Sequence, residues 1–228
     1  MMVVVWLVIL SLITLWLTSH RRRRLMRWHF KQIRTLSYQD WLDVLLSMIQ
    51  LGLVLLVLQW HATEFTLKEL LSFLGDFNWQ WQFICYMVLY LLAVIEMTLL
   101  VLVLLFDCVF QKDSRLLFKK LTWLTFKNDR PMISLLVIGW VTVVDSIFYF
   151  GLLVFLGSYT PISVLVLVLG YALVKACRYS GWLNWLMAFC LFAVIGLWGV
   201  TATLLYGWLA SVLLLTLTYL MISLKEQQ

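Results

Sequence analysis

"LLAVIEMTLLVLVLL", residues 91–105, holds one charged side chain, Glu96, among fifteen residues. The apolar run extends in both directions, over about residues 82–106. That is long enough to cross the roughly 30 Å hydrocarbon core of a bilayer as a single helix. Runs of the same kind recur along the chain. Of its 228 residues 64% are hydrophobic and 12% charged, with a mean hydropathy of +0.98. A soluble domain carries roughly 25% charged residues. The expected fold is therefore all-α: one polytopic transmembrane helix bundle over residues 1–228, rather than two soluble domains.

About seven spans fit: 2–18, 42–60, 82–106, 132–156, 160–177, 182–203 and 205–224. Residues 182–224 form one apolar stretch too long for a single ordinary crossing. A tight turn within 203–207 would split it in two. Every Lys and Arg except Lys68, out of 17, falls at the end of or after span one, three, five or seven. Cytoplasmic segments gather such charges, so the N-terminus is expected outside and the C-terminus in the cytosol. Span one lacks a basic segment before its apolar run and an A-x-A site after it, unlike a cleaved signal peptide.

Three segments read as amphipathic helices lying on the membrane. In residues 21–40, Met26, Phe30 and Ile33 share one face, and Arg27, Lys31 and Arg34 another. With Arg21, Arg22, Arg23 and Arg24 these basic side chains suit anionic lipid, or a cytosolic partner. Residues 113–127 repeat the pattern, with Leu117, Leu121 and Leu124 against Arg115 and Lys119. Outside, 66–75 opens with a capping box, Thr66 with Glu69, and ends near Gly75. The basic residues abut spans, so the net charge of +6 points to a membrane surface and not to nucleic acid.

Two acids fall inside spans: Glu96 in the third and Asp145 in the fourth. Each costs roughly 2.5–3.5 kcal/mol at a helix centre on insertion scales. Consecutive antiparallel spans would place them at similar depth. The expected arrangement is a buried acidic pair sharing a proton, able to hold a proton, a cation or the cationic group of a solute. Ser134, Thr142 and Tyr149 form a supporting polar stripe beside Asp145. Lys175, near the cytosolic end of span five, is expected to snorkel to the interface. Gly196, Gly199, Thr203 and Gly207 lie on roughly one face and suit close helix packing.

The four cysteines, Cys85, Cys108, Cys177 and Cys190, make no C-x-x-C pair, and His20, His29 and His61 match no ligand spacing, so no metal or cofactor is expected. No G-x-S-x-G serine, P-loop or G-x-G-x-x-G is present. The stretches "VVDSIFYFG" and "GYALVKACRYSGWLNWLMAF" resemble segments of CAAX-type intramembrane proteases. Asp145 stands where that family has paired glutamates, and no His follows His61. The resemblance implies a degenerate, non-catalytic relative. The sequence points to a non-enzymatic, multi-pass protein of a bacterial cytoplasmic membrane. A small permease is expected, or a membrane subunit of a transport-type or envelope assembly, bound to other subunits or to copies of itself. A peptide-sensing or immunity-type membrane protein is the alternative.

Overall fold

Both prolines of the chain open helices, Pro131 and Pro161, where a missing N–H costs no hydrogen bond and the fixed φ is already helical. The computed structural model describes residues 2–18, 27–29, 31, 38–60, 68, 72, 75, 80–111, 131–152, 154, 161–177, 179 and 182–225. These are helical almost throughout and contain no strand. The main helices are α1 (Met2–Thr18), α2 (Tyr38–Trp60), α3 (Trp81–Cys108), α4 (Pro131–Asp145), α5 (Pro161–Ala176), α6 (Trp182–Tyr206) and α7 (Trp208–Lys225). A π-helical segment, Ser146–Leu152, continues α4.

Four helices are long and apolar enough to cross a membrane: Asp40–Trp60, Trp81–Cys108, Leu135–Leu152 and Asn184–Tyr206. Val4–Trp16, Ile162–Ala176 and Trp208–Tyr219 are shorter apolar helices. On α3 the inward stripe is Val88, Leu91, Ile95, Leu102 and Phe106, at helical spacing. Its outward face is equally apolar, with Tyr86, Leu89, Met97, Val101 and Leu105 exposed. The expected surface helix at 113–127 lies outside the described residues. Of 21–40 and 66–75 only the isolated positions given above are described.

Helix α6 is the hub. It packs on α5, α7, α3 and the π segment, while α2 lies against α4 and α1 against α5. Helix α7 touches both α3 and α4, which meet each other at most at a fringe. The expected pairing of spans three and four is thereby corrected: neighbours in sequence are separated in space by the last helix. Two glycines set how closely α6 approaches its partners. A Cβ on Gly196 would come within 2.8 Å of the Tyr171 ring, and one on Gly199 within 2.5 Å of the Phe150 ring. Gly207 does something else. Its φ of 93° lies in the left-handed region, and its N–H donates to the Thr203 carbonyl at 3.1 Å, so it makes the turn between α6 and α7.

Candidate functional site

Asp145 is the last residue of α4 before the helix widens, and it is buried. Lys175, in the last turn of α5, is buried too and donates from Nζ to Asp145 Oδ2, forming an ion pair. The other carboxylate oxygen, Oδ1, accepts from Gln50 Nε2 of α2 at 3.1 Å. Three helices thus converge on one carboxylate. Such a group must be paired and hydrogen-bonded to remain charged away from water.

The lysine is placed against expectation, and the reason is geometric. Helical side chains lean toward the helix N-terminus. A lysine at a C-terminal end therefore leans back into the bundle, and reaching the interface means working against that lean. Tyr171, one turn earlier, adds an aromatic face 5.8 Å from Nζ. Its hydroxyl pairs with that of Tyr219 on α7 at 3.2 Å. Around Tyr171 stand Tyr149 at 4.9 Å, Phe150 at 5.5 Å and Phe192 at 6.1 Å, centroid to centroid. The π segment supplies two of these rings. Its i→i+5 hydrogen bonds open the helix, and such segments recur at functional sites. Ser146, its first residue, is fully buried, and its hydroxyl has no hydrogen-bond partner among the described residues.

Glu96 does not belong to this cluster. It lies on the exposed face of α3 between Ile95, which is buried, and Met97, which is exposed. The structure thus pairs Asp145 with Lys175 where the sequence suggested an acidic pair with Glu96. Thr142 points its hydroxyl at the Ile138 carbonyl of its own helix, at 2.7 Å, and Tyr149 enters the aromatic group. The Ser134 side chain lies outside the described residues. Thr203 donates to the Gly199 carbonyl at 2.8 Å. Arg27 and Lys31 are exposed, while Arg21, Arg22, Arg23, Arg24 and Arg34 lie outside the described residues. His29 is buried, with its ring 5.6 Å from both Tyr38 and Trp41. Among the described residues no group of three or more His, Cys, Asp or Glu is placed to hold a metal.

A family profile matches residues 84–226, more than half of the chain. The chain belongs to DUF5968, a family of unknown function. The DUF5968 match takes in α3 to α7, and so the ion pair, the π segment and the Tyr171–Tyr219 contact. Gln50 comes from α2, ahead of the DUF5968 segment. No curated protein and no solved structure matches the chain.

Proposed function

We propose that this DUF5968 member is a seven-span protein of the bacterial cytoplasmic membrane, N-terminus out and C-terminus in. In this reading it works as a small permease, or as the membrane subunit of a transport-type assembly. Its working centre is the Asp145–Lys175–Gln50 cluster. The observation that carries the reading is the ion pair itself, buried where apolar helices meet. Ionisable groups inside membrane bundles line ion, proton and solute paths more often than they serve as plain glue. An ion pair is also poor value as glue, since an apolar replacement is often as stable. The apolar outer face of α3 and the bias of Lys and Arg between spans support a membrane setting and the stated orientation.

Purified protein in liposomes holding a pH-sensitive dye tests this. The reading expects a cation-driven pH change that Asp145→Asn abolishes at unchanged reconstitution, or a stoichiometric membrane partner retained through mild-detergent purification. The absence of both flux and partner would overturn it.

A further inference from the structure

Lys175 is a primary ammonium on a tether, and what surrounds it is what any primary ammonium requires. A carboxylate supplies charge through Asp145 Oδ2. An aromatic face, Tyr171, lies within the range of a cation–π contact. The Gln50 amide spends its N–H on Asp145, which leaves its carbonyl oxygen as an acceptor. An ammonium has three donors, and a solute brings further atoms that the fixed Lys175 stem does not.

Lys175 also has somewhere else to go. It sits in the last turn of α5, next to Ala176, where the helix ends. From there a four-carbon stem can turn toward the polar layer, against its lean toward the helix N-terminus, once the inward hold on Nζ is lost. When Lys175 moves out another cation takes the carboxylate, so the net charge of the site stays constant through the exchange. A carboxylate facing a fixed Arg would have no such second position.

We infer that Asp145, Gln50 and Tyr171 form a binding site for a small primary ammonium solute, with Lys175 as its built-in, displaceable occupant. This rests on the permease reading for its purpose but not for its test, because binding is measured without flux. The Lys175 ammonium competes with the solute, so the apparent affinity is the intrinsic affinity reduced by the fraction of molecules with Lys175 withdrawn.

The test uses the full chain in detergent, with butylammonium chloride as the probe and sodium chloride at equal ionic strength as the control. Thermal unfolding and calorimetric titration are run on wild type, Lys175→Ala and the neutral double variant Asp145→Asn with Lys175→Met. Butylammonium should raise the Tm of wild type, bind Lys175→Ala at least tenfold more tightly, and leave the double variant unmoved. Equal responses to butylammonium and sodium, or an equal response in the double variant, would overturn the assignment. So would a response in Lys175→Ala with none in wild type, because Lys175 would then be a permanent structural partner. If Lys175→Ala does not fold, the wild-type and double-variant arms decide alone. Binding without flux would remove the permease reading and keep the site.

Discussion

An ammonium and a carboxylate taken out of water each lose several kcal/mol of hydration, and mutual attraction returns this only with good geometry and further hydrogen bonds. Asp145 obtains both, from Lys175 and from Gln50. Gln50→Leu should therefore cost about 1.5–3 kcal/mol, the usual worth of a buried hydrogen bond to a charged group, read as a loss of Tm in detergent. Glu96→Gln should cost less than Gln50→Leu, because the Glu96 side chain is exposed on α3 and Gln50 is buried. An equal loss in both variants would contradict this ranking. Asp145 was legible in the sequence because a lone acid in an apolar run is expensive. Its partners were not. Lys175 read as a helix-end lysine, since proximity to an end says nothing about the direction of lean. Gln50 carries no signal of its own, being one of several polar side chains, with Asp43, Ser47 and Gln59, in its span.

Helices here are placed by what their small residues allow. Gly199 lets α6 sit against the Phe150 ring of the π segment, whereas a Cβ on Gly139 of α4 would meet nothing within 4 Å. Gly199→Leu should lower stability by about 1–3 kcal/mol through overpacking. Gly139→Ala should be neutral or stabilising, by up to about 1 kcal/mol of helix propensity. Thermal unfolding of the two variants side by side checks this. The small-residue face of α6 was visible in sequence, and so was a turn at its end. That Gly207 makes the turn and not a packing contact follows from a backbone angle, which spacing does not reveal. The π segment left no signal either, since it differs from an α-helix by hydrogen-bond register alone.

A second element carries a pH dependence. Burial against Tyr38 and Trp41 lowers the His29 pKa from its ordinary 6.5. The fold therefore favours the neutral ring. The contribution of this packing is complete above about pH 6.5 and is lost as the pH falls through the lower folded value. Hydrogen exchange at Trp28 and His29, corrected for the intrinsic rate, should accelerate on acidification, and His29→Phe should flatten the profile.

For the whole molecule, the helical class and helices apolar enough to cross a membrane follow from composition, and the runs of apolar residues place the main helices of the described residues near their observed positions. Which helix lies beside which was not legible. Apolar faces of similar composition carry no address, so nothing in the sequence says that α7 packs against both α3 and α4. The orientation argument rests on charge counts between spans. A reporter fused after Gln228 should score cytosolic, and one inserted within residues 64–76 external. An external C-terminus would mean one span fewer or more than seven.

The central claim is that Asp145 and Lys175 act as one unit inside this bundle, and a double-mutant cycle on their thermal stability in detergent tests it most directly. Asp145→Asn and Lys175→Met should each cost about 3–5 kcal/mol, because each strands a buried partner. Together they should cost far less than the sum, recovering most of the wild-type stability. Additive losses in the double variant would contradict the account, since they would show that the two charges are held by separate partners.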